Sequence, residues 1–239
     1  SNPSAGVSKE EMFERMAQIT QAVDIPVNGD LEAGYGDSPA DVATTVSEAI
    51  AAGLAGGNVE DKRPHADTLY EEDLAVERIA AAAAATAGNS FVLTARTDAF
   101  RASVPGSLTT VVRRANRFLE AGATCVFAPG IDDLQTIELL LRDVDGPVNI
   151  VAGLTSLEGN VHQMIKAGAQ RISLGGSIAR STLGYVRQCA RNLRDEGTFD
   201  VPSAQIEHSD LNALFSQPAS ESPPCARWTE FTLSSAEPQ

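Results

Sequence analysis

Residues 25–36 read IPVNGDLEAGYG, a short apolar strand that ends in two carboxylates and then two glycines. Side chains two apart on a strand face the same side. Asp30 and Glu32 are therefore expected to point together out of the strand's C-terminal end. Gly34 and Gly36 let the chain turn sharply and bring backbone close to whatever the carboxylates hold. Two converging acids form a hard oxygen site suited to Mg²⁺ or Mn²⁺. The alternative is a strand followed by an ordinary polar loop, and what favours the site is that the pattern recurs.

Apolar strands are predicted over 25–30, 55–60, 91–96, 123–127, 147–152 and 170–174. Helices are predicted over 8–22, 38–52, 71–87, 107–121, 133–142, 156–167 and 177–195, so each strand is followed by one. Helix 107–121 shows the clearest 3.6-residue period, through Leu108, Val111, Val112, Ala115, Phe118 and Leu119. Ser8 with Glu11, and Pro39 with Asp41, give helix starts; Gly122 gives a stop. Strict β–α alternation implies a parallel sheet, either doubly wound or closed into a barrel. No G-x-G-x-x-G opens a helix, which removes the main reason for a dinucleotide fold. Polar strand ends recur at Asp30 and Glu32, at Glu60, and at Arg96 and Asp98. Functional residues gathered from successive strand ends belong to the C-terminal face of a (β/α)₈ barrel. The fold is read as that α/β barrel, with six β/α units visible over 1–197 and a partly disordered extension over 198–239. In the extension, 209–215 reads as a short helix whose Leu211, Leu214 and Phe215 would dock an apolar edge.

The chain has 239 residues, 43% hydrophobic and 21% charged, with a net charge of −14. A polyanionic surface argues against nucleic acid or an anionic membrane as the main partner, but a local metal or arginine can still invert the field for a small anionic substrate. No apolar run approaches the roughly 20 residues that span a bilayer, and the first residues lack the layout of a signal peptide. Cys125, Cys189 and Cys225 form neither a metal pattern nor a disulfide framework. Cys125 and Cys189 read as buried thiols in a reducing, cytoplasmic setting.

The motifs DLEAGYG, NVED, LTARTDAF and RISLGGSIAR, in this order and spacing, resemble the isocitrate lyase and phosphoenolpyruvate mutase superfamily over residues 8–197. The likeness is to its phosphonomutase-like, methylisocitrate-lyase-like branch. The resemblance implies a homo-oligomeric barrel, a dimer or tetramer that exchanges its last helix. It also implies Mg²⁺ (or Mn²⁺) held by Asp30, Glu32 and Glu60, partly through water. Arg96 would contact the substrate carboxylate or developing oxyanion, with Gly34 and Tyr35 of the G-Y-G turn at the substrate. The plainer alternative for Arg96 is an ion pair with Asp98, and for Glu60 a capping or surface acid. Asp61 reads as a salt-bridge residue. Lys62 follows the family's E-D-K pattern into a flexible gating loop and is a candidate catalytic residue. His65 in that loop is a candidate proton carrier; an exposed role is open for both.

Three departures temper the resemblance. The lyases' K-[KR]-C-G-H loop is replaced by KRPHADTLY, without cysteine. Pro129 stands where lyases place a glutamate and the mutase a histidine. Two family strands that would precede residue 8 are not in this sequence, and an open sheet edge is a liability unless covered. The primary expectation is a Mg²⁺-dependent lyase that cleaves a C–C bond of a small 2-hydroxy or 2-oxo di- or tricarboxylic acid through an enolate. The alternatives are an oxaloacetate or phosphonopyruvate-type hydrolase, and a non-catalytic barrel remnant serving as an assembly subunit. Gly175 and Gly176 suit either an anion at the next helix or close packing; Asn149 has no assigned role.

Overall fold

The computed structural model describes residues 7–64, 66–101, 107–153, 160–198 and 205–216. It shows helix α1 (Lys9–Ala22), then strand β1 (Asn28–Asp30) with helix α2 (Pro39–Ala51), and β2 (Gly56–Glu60) with α3 (Glu72–Ala85). β3 (Val92–Arg96) precedes α4 (Ser107–Glu120), and β4 (Cys125–Phe127) precedes α5 (Leu134–Asp143). β5 (Val148–Val151) is followed by α6 (Val161–Ala167), and β6 (Arg171–Ser173) by α7 (Ser177–Arg191). A π-helical turn (Asn192–Glu196) prolongs α7, and α8 (His208–Ser216) comes last.

The strands pair in parallel in sequence order, β1 to β6. A doubly wound sheet needs a point where strand order reverses, and none occurs among the described residues. Right-handed crossovers that always step the same way put every helix on one face of the sheet. The sheet therefore curls as part of a barrel, with the helices outside.

Alternation along the strands explains the two faces. Val59, Ala95, Val126 and Val148 share a register line and are buried. They meet Val42 and Val46 of α2, Ile79 of α3, Phe118 of α4 and Leu140 of α5 in one core. The neighbouring line runs Glu60, Arg96, Phe127, Asn149, Arg171, all on the opposite, inner face. That face is polar at both ends of the line. Asn149, without a role in the sequence, accepts from Arg171 Nε at 2.9 Å and donates to Ser173 Oγ at 2.9 Å.

Several expectations need correction. Strand β1 starts at Asn28 rather than residue 25, and α6 starts at Val161, where Asn160 and Gln163 form a capping box. Ser8 caps α1 by accepting from the Glu11 N–H. Cys125 is buried, but Cys189 is only partly covered, because α7 buries none of its residues. In α8, Leu214 and Phe215 are exposed rather than docked. Cys225 and the tail after Ser216 lie outside the described residues.

Candidate active site

Three strand ends build the rim. Asp30 closes β1, Glu60 closes β2 and Arg96 closes β3, with Asp30 paired to Asn58 and Glu60 to Arg96. Asn58 Nδ2 donates to Asp30 Oδ1 at 2.9 Å, and the Glu32 N–H donates to the same oxygen at 3.1 Å. Among the described residues Oδ2 accepts no bond.

Glu32 reaches the rim by a different route from the one its spacing suggested. The strand has ended, and Glu32 sits at φ 50° in the left-handed region, as does Tyr35 at φ 54°. Bonds from Leu31 N to Asn58 O and from Glu60 N to Glu32 O carry the pairing with β2 through the turn. Gly34, at φ +76°, packs so tightly that a Cβ would come within 2.9 Å of Val42. Its N–H and C=O are both bonded within the protein, to Leu31 O and Thr45 Oγ1.

Arg96 is the hub of the charges. Its Nη1 meets Glu60 Oε2 at 3.0 Å, while Nε and Nη2 grip Asp98 at 2.8 Å each. Asp98 is 1% exposed. Of the five guanidinium N–H donors, these contacts use three, so the structural pair and a ligand contact are compatible.

The acids are electrostatically frustrated. Burial pushes the Glu60 carboxyl up to about 7; Arg96 opposes this, and Asp98, Asp30 and Glu32 add to it. The Arg96 pair does not prevent the rise because burial outweighs it. Glu32 is likewise raised, by burial and then by Asp30. For Arg96, burial works against the charge, but the Asp98 bonds and the surrounding acids hold its pKa above the ordinary value.

The structure thus brings together Asp30, Glu32, Glu60 and Arg96. Asp61 behaves as expected: it is buried, pairs with Arg114 at 3.1 Å and accepts the Asp98 N–H. Lys62 pairs with Asp67 at 3.2 Å. Tyr35 lays its ring against Phe13 of α1, and its buried hydroxyl has no partner among the described residues. Burial, followed by Glu32 and Asp30, pushes that phenol up to about 12. His65 lies outside the described residues.

Sequence reasoning missed Arg78, Arg114 and Asn58. Arg78 falls on the buried side of α3 with Ala75, Ile79 and Ala82, and Arg114 on that of α4 with Val111, Ala115 and Phe118. An arginine at a core position of an apolar stripe was the available signal.

A metal fits this donor set in kind. Asp30, Glu32 and Glu60 offer hard oxygens, and a divalent cation would offset both the burial that chiefly raises Glu60 and Glu32 and the smaller repulsion among the acids. Among the described residues, no three of His, Cys, Asp and Glu are grouped closely enough to enclose an ion by themselves. Mg²⁺ usually keeps several waters, so a shell completed by water and substrate oxygens suits it.

These features define an α/β barrel protein with its candidate site at the carboxyl ends of the strands. Residues 2–194 match the phosphoenolpyruvate phosphomutase family, and the chain belongs to that family. It is 33% identical over 155 residues to the 2-methylisocitrate lyase of Escherichia coli K12, across 61% of this chain and 51% of that one. The Vibrio cholerae 2-methylisocitrate lyase is 30% identical over 228 residues, covering 90% of this chain and 70% of the relative. A solved Burkholderia cenocepacia J2315 structure, described as a lyase/mutase, superposes with a TM-score of 0.84 at 36% identity, covering 89% and 77%. The chain spans about half the length of the E. coli relative. Among the described residues, no helix is long and apolar enough to cross a membrane.

Proposed function

We propose that this chain forms the active site of a Mg²⁺-dependent lyase that cleaves a C–C bond in a small 2-hydroxy or 2-oxo di- or tricarboxylic acid through an enolate. The observation that carries the reading is the rim itself: Asp30, Glu32 and Glu60 press on one another electrostatically beside the Arg96 guanidinium. The lyase names of the relatives support the reaction class.

Asp30 Oδ2, Glu32 and Glu60 would hold the ion. When bound, such an ion acts as a Lewis acid where enolate charge develops. Arg96 supplies a planar, permanently charged fork for the substrate carboxylate, and its grip on Asp98 fixes the plane before substrate arrives. Asn58 holds Asp30 in place. Lys62 would leave Asp67 to meet substrate; that ion pair is partly exposed and weak enough to exchange. His65 remains the candidate proton carrier. The exposed apolar residues of α7 support a homo-oligomer that exchanges this helix.

The reading is tested by screening 2-hydroxy di- and tricarboxylic acids for Mg²⁺-dependent release of a 2-oxo acid. Turnover that Asp30→Ala abolishes supports it. Homogeneous, folded protein with no turnover across the series, and no metal binding, overturns it in favour of a non-catalytic assembly subunit.

A further inference from the structure

The loop at 31–37 adopts a conformation its residues do not favour. Left-handed φ values are disfavoured for residues with a Cβ, yet both Glu32 and Tyr35 have them. Besides the main-chain bonds at Leu31, Glu32 and Gly34 and the Thr45 hydroxyl on Gly34 O, one buried guanidinium gathers the far half of the loop. Arg78 of α3, 1% exposed, donates Nη1 to the Gly36 and Asp37 carbonyls and Nη2 to the Ala33 carbonyl. Three carbonyls of one turn converge on one cation.

The same guanidinium stacks on Tyr70, with Cζ 4.1 Å from the ring centroid. Arg63 stacks on that ring as well, at 4.6 Å. The Tyr70 hydroxyl donates to the Asp37 carboxylate, so its side chain belongs to the loop's support. Its backbone belongs elsewhere. Tyr70 N donates to Asp61 O at 2.8 Å, Lys62 bridges Leu69, and Arg63 N donates to Thr68 O at 2.9 Å. Arg114 closes this second unit from α4, with Nη2 on Tyr70 O at 2.9 Å and Nη1 on Asp61. Tyr70 is thus shared: its ring and hydroxyl serve residues 31–37, its main chain serves the arms 61–63 and 68–70.

We infer that Arg78 and Tyr70 are positioning residues that hold the Glu32-bearing turn in its left-handed form and couple it to the arms 61–63 and 68–70, which carry Lys62. The value of this coupling to catalysis rests on the proposed function; the coupling itself does not. A lysine cannot replace Arg78, because a point charge on a flexible stem can neither fork to three carbonyls nor stack in a plane.

The test is amide hydrogen exchange by mass spectrometry on the full chain, comparing wild type with Tyr70→Phe, Arg78→Lys and Arg142→Gln. Tyr70→Phe keeps the ring and main chain and deletes only the bond to Asp37. It should speed exchange in 31–37 by about tenfold to a hundredfold, the range for one hydrogen bond to a charged group, while β2 and β3 keep wild-type rates. Arg78→Lys should speed both 31–37 and the two arms. Arg142→Gln removes a surface pair with Asp143 at the end of α5, and should leave both units unchanged. Tyr70→Phe leaving 31–37 at the wild-type rate would overturn the inference, as would acceleration spread evenly over all strands, the mark of simple destabilisation. If Arg78→Lys does not fold, Tyr70→Phe decides alone. Failure of wild type to bind Mn²⁺ with oxalate would sink the proposed function, while the exchange rates in 31–37 would still decide whether the coupling exists.

Discussion

The two sides of the sheet's arc are finished to different degrees. Under β1–β4, helices α2, α3 and α4 bury Val42, Val46, Ile79, Val111 and Phe118 almost completely. Buried arginines lock the loops above them. At the β6 end, α7 has an apolar stripe but no buried residue: Ile178 is 64% exposed, Leu183 68% and Val186 56%. The β2–β4 side has its helices packed down within one chain. The α7 side presents the kind of surface that a partner covers.

This contrast predicts unequal responses to mutation. Arg96→Met should have the largest effect, because it strands Asp98 at 1% exposure and Glu60 beside it. Breaking a buried pair from one side costs about 3–5 kcal/mol, so chemical denaturation should show a loss of that size, with carboxylate binding abolished. A loss under about 1 kcal/mol would mean that water reaches the pair freely and the site side is less closed than described.

Glu60 sharpens the same point through pH. Its folded pKa of about 7 lies above the ordinary value of 4.5, so folding favours its protonated form. That contribution is complete below about pH 4.5 and is lost as pH rises through about 7. The size is about 3 kcal/mol by linkage. Metal-free wild type should therefore lose more stability than Glu60→Gln between about pH 5 and pH 8. Parallel profiles for the two proteins would contradict the burial assigned to Glu60.

Much of this was legible because it is local. The strand ends at Asp30, Glu60 and Arg96 follow from alternation and turn residues, and the Arg96–Asp98 pair from an i, i+2 spacing. Glu32 was found for a reason the structure replaces: its position comes from a left-handed turn, not from a continuing strand. The Arg78 and Arg114 contacts were hidden because each joins segments more than 40 residues apart in the chain. Arg78 lies with Ala75, Ile79 and Ala82 and Arg114 with Val111, Ala115 and Phe118 on the buried faces of their helices, but a periodic stripe does not say what a charge there would meet. Helix 177–195 was legible as a helix, but the exposure of Ile178, Leu183 and Val186 was not, because burial depends on what packs against a helix.

The smallest effect is expected at α7. Leu183→Glu should change the stability of the single chain by less than about 0.5 kcal/mol, as for most surface substitutions. Sedimentation should nevertheless shift toward monomer, since the proposed helix exchange buries this face. A large loss of chain stability with no change in mass would place α7 within its own subunit's core.

Whether Asp30, Glu32, Glu60 and Arg96 form a working metal and carboxylate site is tested most directly by calorimetric titration of Mg²⁺ or Mn²⁺ with and without oxalate. Metal-dependent oxalate binding is expected in the wild type and should disappear in Glu60→Ala. Folded wild-type protein that binds neither ion nor oxalate would contradict the assignment.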